Sequence, residues 1–440
     1  MEKISWIESE RLHNRDKSVI PGGLHFNFAS KLTSVPLYFE KGFGTRLVDV
    51  DHNEYLDFYG KFGAMIFGHR HAEYLDSIFS EFTGTITDNN LFDHEISQSI
   101  IDCVPSAELV RYGLSGTEIV QTALRVSRAY NKKNKFIRFE GHYHGSSDNI
   151  MGGRLLSKEH PIPVEFVGDF RGTAGRAHGI LESQSYLLPW NNMDLLEKVT
   201  DKYENEISAI IMEPICINGG GIFPGKDFLE SVRDLCNRKN IVLIFDEIIS
   251  GFRIGIGGAQ QLFNVIPDLT TLGKAVSGGA FPVSILAGKS DIMKLIAEFQ
   301  VSHAGTHNGY QLGLLAVRSA IKLLRNNIPN YFEHMIHYGE LIKNILLQES
   351  QRVGIDMQIM GHPNAMFLHI SKSPILEFGD ISHHIREKSD VLRRVFLENG
   401  IILSPSSRIY LNTSINENDL DFLEGKAKIA LPIVKRALQH

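Results

Sequence analysis

Short apolar runs alternate with longer amphipathic stretches through the middle of this chain. KFIRF (135–139), AIIME (209–213) and IVLIF (241–245) are near-continuous apolar runs of strand length, the pattern of strands covered on both faces. Between them, GTEIVQTALRVSRAYNKK (116–133) and KDFLESVRDLCNRKN (226–240) carry apolar residues at helical spacing. This alternation predicts an α/β domain on a mostly parallel sheet flanked by helices. Residues 36–60 follow a different rule. YFEKG, RLVDVD and EYLDF alternate with the period of a strand, separated by Gly42, Gly44 and an Asp51-His52-Asn53 turn, so a small meander is expected. Before it, a helix and a turn at Pro21-Gly22-Gly23 are expected. After residue 325, long amphipathic helices such as YFEHMIHYGELIKNILLQES mix with the strands AMFLHI, IILS and RIYLN. The expected organisation is an N-terminal segment (1–60), a large α/β domain (61–325) and a smaller C-terminal α+β domain (326–440).

Composition narrows the class. The chain has 440 residues, 43% of them hydrophobic, enough to bury a large core. Its net charge of −6, with both signs interspersed, argues against nucleic acid or an anionic membrane as partner. Three cysteines, Cys103, Cys216 and Cys236, do not make a disulfide framework and suit a reducing compartment. The charged first residues lack the apolar region of a secretory signal, and the most apolar windows are too short to span a bilayer. A cytoplasmic globular protein is expected.

Three segments could carry chemistry. In IVLIFDEIISGFR (241–253) a buried strand ends at Asp246-Glu247, and ligands in parallel sheets sit at the carboxyl ends of strands. A half-buried Asp there wants a cationic or protonated partner, though an ordinary helix cap would also explain it. In RYGLSGTEIVQTALRVSRAY (111–130), Ser115-Gly116-Thr117 opens a helix. Its N–H groups, hydroxyls and dipole suit a phosphate, and a plain N-cap is the alternative. In TLGKAVSGG (271–279), Lys274 stands in a small, apolar, glycine-rich stretch. If its pocket is apolar, desolvation lowers the amine pKa and frees it to form an imine; a surface lysine is the alternative. A lysine, a carboxylate and a phosphate cradle together are what pyridoxal 5′-phosphate (PLP) requires.

With those residues in view, the chain resembles the class III, fold-type I PLP aminotransferases, and among them the glutamate-1-semialdehyde aminomutase group. The matching stretches include PGG (21–23), GTRLVDVDHNEYLDFYGKFGAMIFGH, SGTEIVQTALRVSRAY, FEGHYHGSSD, IIMEPICINGG, LIFDEIISGFRIG, PDLTTLGKAVSGGAFPV and AGTHNGYQLGLLA. They run in family order over most of residues 20–320, with a looser match beyond. The resemblance implies that Lys274 is the Schiff-base lysine and proton carrier, that Asp246 partners the pyridine nitrogen, and that Ile248 and Tyr143 flank the ring. It implies a phosphate cradle at Ser115, Gly116 and Thr117, and Asn218 near the ring 3-hydroxyl. His144 and Glu213 lie in the same stretches and are counted with the cofactor residues. Gly305 and Thr306 would reach the phosphate of a neighbouring subunit, implying a homodimer. The H-x-H pairs His69/His71 and His142/His144 have metal-ligand spacing, but no acidic or cysteine cluster accompanies them and no metal is expected. The glycines of RIGIGGAQ (253–260) do not sit directly between a strand and a helix, so a dinucleotide site is not expected there.

The sequence departs from the aminomutase group where substrate is chosen. The resemblance calls for an arginine after the PGG turn; the equivalent position holds Ala29. Phe62, beside Lys61, replaces a tryptophan wall, and the gating segment near ILSPSSRIYLN is shortened and carries Arg408. The expectation is therefore an aminotransferase passing nitrogen from a donor to a carbonyl acceptor in a specialised biosynthetic pathway, with Phe62, Lys61 and Arg408 at the substrate. The alternatives are an aminomutase moving nitrogen within one molecule, and a non-catalytic PLP-fold binding protein.

Overall fold

The computed structural model describes residues 4–25, 35–85, 87, 89–153, 161–162, 175–327 and 330–439. Two compact units divide the chain: Met1–Leu75 with Ile328–His440, and Asp76–Asn327.

The first unit opens with a helix, Ile7–Asp16, whose N-terminal N–H groups at Glu8 and Ser9 donate to the Asp51 carboxylate at 2.6 and 2.9 Å. The expected meander follows as β1 (Phe39–Phe43), β2 (Arg46–Asp49) and β3 (Glu54–Asp57), paired antiparallel in that order.

The second unit holds the central sheet: β4 (Leu109–Gly113), β5 (Lys135–Phe139), β6 (Ser185–Leu188), β7 (Ile207–Met212), β8 (Val242–Glu247), β9 (Leu269–Leu272) and β10 (Ser284–Gly288). Their spatial order is β4-β10-β9-β8-β7-β5-β6. Neighbours from β9 to β6 are parallel, and β10 runs antiparallel to both β9 and β4. Every residue of β7, β8 and β9 is buried, the polar Ser208, Asp246, Glu247, Thr270 and Thr271 included among their apolar neighbours. Each fully buried Val, Leu, Ile or Phe there contributes at most about 1.5–3 kcal/mol. The helix Gly116–Asn131 buries Ile119, Val120, Ala123, Leu124 and Val126 along one stripe, packed against β7, β9 and β10. It ends at Lys132 in the left-handed region, φ 61°. From β5 the chain steps outward to β6, then returns to the other side at β7, making a topological switch between β5 and β7. Ligands of open α/β sheets collect beside such a switch, at the strands' carboxyl ends.

The first unit resumes with the helix Asn330–Arg352, then β11 (Met357–His362), β12 (Ala365–Ile370), the helix His383–Leu397, β13 (Ile401–Ile402), β14 (Arg408–Tyr410) and the helix Glu417–Ala437. β11, β12 and β14 form an antiparallel sheet. Where the sequence pattern set 1–60 and 326–440 apart, one unit contains both, because β13 pairs in parallel with β3. A buried ion pair adds to this join. Arg46 Nη2 lies 2.7 Å from Asp419 Oδ1, with the guanidinium 4.1 Å from the Phe422 ring centroid, and Thr45 Oγ1 donates to the same carboxylate. Replacing Asp419 leaves Arg46 only the longer 3.6 Å contact with the exposed Glu54, so Asp419→Ala is expected to cost about 3 kcal/mol. A thermal unfolding scan showing less than a 1–2 °C drop would contradict that role.

Candidate active site

At the carboxyl edge of its sheet the second unit brings together Asp246, His144, Ile248, Gly116 and Thr117, with Gly273 and Lys274 beside Ile248. Asp246, one residue before the end of β8, is 5% exposed. Its Oδ2 lies 2.7 Å from His144 Nδ1, and Oδ1 accepts from Thr271 Oγ1 at 3.1 Å and Ile248 N at 3.2 Å. A carboxylate only accepts, so His144 carries its proton on Nδ1. His144 comes from the loop leaving β5 and is itself 4% exposed.

Strand alternation sends the adjacent Glu247 to the opposite face. There it accepts from Ala259 N (2.6 Å), Gln260 N (3.1 Å) and Ser250 Oγ (2.9 Å), capping the helix Gly258–Phe263. The glycines of RIGIGGAQ thus meet a carboxylate of their own chain. Burial raises the Glu247 pKa, against the pull of these donors.

Ile248 ties the remaining parts together. A Cβ added at Gly116 would lie 3.1 Å from Ile248 Cδ1, and one added at Gly273 would lie 3.0 Å from the same atom. The start of the helix Gly116–Asn131 and the residue before Lys274 therefore close on one isoleucine. Thr117 packs against the His144 loop: a Cβ at Gly145 would come 2.6 Å from Thr117 Oγ1, which accepts from Ser146 N at 3.2 Å. Ser115 is the N-cap, its side chain accepting from Glu118 N at 3.3 Å, so its hydroxyl serves the helix. Lys274 opens a short 3₁₀ turn after β9, half-buried, with φ 46° in a region unfavourable to a side chain.

Glu213, 5% exposed just beyond β7, organises the second edge of the site. Its carboxylate accepts from Tyr143 N (2.7 Å), Asn218 N (3.0 Å) and Asn218 Nδ2 (2.9 Å). The last bond fixes the Asn218 amide, turning its Oδ1 away from Glu213. Burial raises the Glu213 pKa; the neighbouring His144 and the three donors pull the other way. Tyr143 keeps 40% of its surface exposed, as do Gly305 and Thr306 to a large extent.

The histidine pairs have internal partners. His142 Nδ1 accepts from Glu213 N at 3.0 Å, and its ring lies 4.6 Å from that of Trp190. His69 Nε2 is 2.9 Å from Asp57 Oδ2, and His71 Nδ1 accepts from Tyr74 N. Among the described residues no group of three or more His, Cys, Asp or Glu could hold a metal.

The substrate candidates lie in the first unit. Gly60, Lys61, Phe62 and Gly63 form a left-handed turn with φ of 47°, 52°, 57° and 76°. For Lys61 and Phe62 that costs roughly 1–2 kcal/mol each. Arg408 stands 6.0 Å from the Phe62 centroid and 5.3 Å from that of Phe367, donating from Nη1 to Tyr410 Oη at 3.3 Å. Ser406 and Ser407, just before it, are also left-handed. Strain of this kind collects where a site needs a set geometry. The Ala29 position lies outside the described residues.

The sequence reading missed two residues that the structure supplies. Thr271 is a polar residue in the buried strand LTTL and pairs in register with Asp246; that polar intrusion was its visible signal. Glu247 was visible only as the second half of Asp-Glu, and its backbone donors lie twelve and thirteen residues on.

The arrangement fits PLP. A lysine sits after a glycine whose missing Cβ makes room for Ile248. A buried, hydrogen-bonded carboxylate lies at the same edge, and a helix N-terminus opens beside both. Comparison with known proteins agrees. The fold is that of the fold-type I PLP transferases. The solved structure of an ω-transaminase from Sphaerobacter thermophilus superimposes with a TM-score of 0.88, covering 97% of this chain and 98% of that one at 26% identity. The sequence model of the family described as aminotransferase class-III matches residues 28–372, so the chain belongs to the class III aminotransferases, whose cofactor is PLP. A glutamate-1-semialdehyde 2,1-aminomutase from Desulforamulus reducens is 32% identical over 95% of this chain and 96% of its own length. One from Fusobacterium nucleatum is 34% identical over 90% of each. Among the described residues, no helix is long and apolar enough to cross a membrane.

Burial lowers the His142 pKa well below its ordinary 6.5, helped by the neighbouring His144. Its Nε2 is closed off from solvent although the residue keeps some exposed surface. A histidine held neutral in the fold and charged when unfolded gives stability that is complete above pH 6.5 and lost as pH falls below it, by up to about 1.4 kcal/mol per pH unit. His142→Phe, which keeps an aromatic ring against Trp190, is expected to flatten the decline of Tm below pH 6.5. An unchanged slope would contradict the assignment.

Proposed function

We propose that this chain moves an amino group between carbon atoms of a small metabolite, using PLP tethered to Lys274. The observation that supports it most directly is the closure of the Gly116 helix start, Gly273-Lys274 and the Asp246 strand end on Ile248. When bound, PLP supplies an electron sink that stabilises negative charge on the substrate carbon. In this reading the chain's residues do the rest. The Asp246 carboxylate, held by His144 and Thr271, would keep a proton on the ring nitrogen. Gly116 and Thr117 would offer backbone N–H groups and a hydroxyl to the phosphate. Tyr143 and Ile248 would flank the ring, and Asn218, its amide fixed by Glu213, would serve the 3-hydroxyl. The Lys274 amine, once displaced by substrate, takes a proton from one carbon and returns it to another.

Two outcomes of that proton transfer are open. The names of the curated relatives favour an aminomutase, in which the nitrogen returns to a neighbouring carbon of the same molecule. Transamination between two substrates is favoured by a feature of this chain: the Phe62–Arg408 pair, a cation between aromatic rings on strained backbone, suited to a substrate anion. The name of the ω-transaminase neighbour points the same way. We also read Gly305 and Thr306 as completing the phosphate site of a second subunit in a homodimer, and the protein as cytoplasmic.

Incubating the PLP-loaded protein with a panel of amino compounds and closing the mass balance separates the readings. An isomer of the added amine with no carbonyl product identifies the aminomutase; a stoichiometric carbonyl product identifies the transaminase. Lys274→Ala is expected to lower either rate by about 10³-fold or more while the fold persists. A variant retaining a tenth of the rate would contradict the role of Lys274. Arg408→Ala is expected to raise KM for an anionic substrate by roughly 10–100-fold, the loss of a charge-assisted hydrogen bond. An unchanged KM would remove Arg408 from the substrate.

A further inference from the structure

Away from the Lys274 site, a buried arginine and a half-buried one come together, with no carboxylate paired to either among the described residues. Arg138, on β5, is 5% exposed. Its Nε donates to Ser185 Oγ at 3.2 Å and Nη1 to the Gly152 carbonyl at 2.6 Å. Its Nη2 is closed off from solvent and has no acceptor among the described residues. Arg176 donates from Nη2 to the Met151 carbonyl at 2.6 Å, while its Nε and Nη1 are likewise buried without an acceptor. Both guanidiniums thus anchor to adjacent carbonyls, Met151 and Gly152. Among the described residues neither is paired with a carboxylate.

Two positive charges held together, one of them buried, repel each other and lose hydration, a cost that proteins normally cancel with a paired anion. The Arg138 pKa is pushed down to about 9 by burial, with Arg176 adding to the effect. An arginine gives up its proton at no ordinary pH, so the unfavourable charge has to be met by a partner. Three nitrogens are left to donate, Arg138 Nη2 and Arg176 Nε and Nη1. A partner carrying two negative charges and several acceptor oxygens answers both deficits. Because those nitrogens are shut off from solvent, a compact ion suits them and a bulky one does not.

We propose that Arg138 and Arg176 form a binding site for a small tetrahedral oxyanion, inorganic phosphate or a small phosphoryl group, distinct from the cofactor phosphate cradle at Gly116-Thr117. Arg138 stands at the carboxyl end of β5, from which the chain runs through Tyr143 and His144 to Met151 and Gly152. Ion binding there holds both ends of the segment that brings His144 to Asp246. The proposal stands on the two arginines and does not depend on which amino-group reaction the Lys274 site performs.

The test is a thermal-shift titration of the PLP-loaded protein, whose cofactor already fills the cradle, with inorganic phosphate against sodium chloride at matched ionic strength. A small phosphomonoester forms a second arm. Phosphate is expected to raise Tm by roughly 2 °C at a concentration about ten times Kd, with no such rise in chloride. Arg176→Gln, at the outer member of the pair, is expected to abolish the phosphate-specific rise. Arg138→Lys is a second variant that retains a buried cation and should weaken the rise several-fold. A response to phosphate alone identifies the free ion as the ligand, and an equal or larger response to the phosphomonoester identifies a phosphoryl metabolite. No phosphate-specific rise in the unmodified protein, or an equal rise in Arg176→Gln, would overturn the proposal.

Discussion

The buried carboxylate of Asp246 is the constraint around which the second unit is arranged. A carboxylate away from water is costly unless every oxygen is met, and here a histidine, a threonine hydroxyl and a backbone N–H meet it. Each of those partners sits on a different segment: the loop after β5, the neighbouring strand β9, and the turn after β8. Satisfying one charge therefore fixes three pieces of backbone. The piece after β9 carries Lys274 and the loop after β5 carries Tyr143, so the demand of one carboxylate also sets the placement of the proposed working amine.

Glu247 and Glu213 extend the same logic. Glu247 faces the other side of the sheet and closes a helix start, which stops the β8–β9 crossover from drifting. Glu213 ties the Tyr143 backbone to the Asn218 amide and dictates which way that amide points. Both carboxyls have raised pKa values because burial outweighs their donors. They act as structural acceptors, leaving the Asp246–His144 pair, bonded at 2.7 Å, as the polarised element at this edge.

Much of this was legible in the sequence because it is written in local pattern. The near-continuous apolar runs at 209–213 and 241–245 carry the pattern of covered strands, and they became β7 and β8. Ser115 with an amphipathic stretch after it could only open a helix. Lys274 drew notice because a charged residue among glycines and small apolar side chains has no local reason to be there. What stayed hidden depends on register and on distance along the chain. That Thr271 lies beside Asp246 follows from the pairing of β8 with β9, and no run of residues records that pairing. The joining of β3 to β13 is of the same kind, as is the reversal of β10 within an otherwise parallel sheet. The left-handed turn at Gly60–Gly63 was hidden for another reason: Lys61 and Phe62 are poor residues for that backbone, so local preference pointed away from it.

The central claim is that Lys274 is the amine that holds the cofactor. Borohydride reduction of the PLP-loaded protein, followed by proteolysis and peptide mass spectrometry, tests it directly. The account predicts one modified peptide, containing TLGKAVSGG, with the cofactor's mass on Lys274. Modification of a different lysine, or a reduced protein that releases all its cofactor on unfolding, would contradict it.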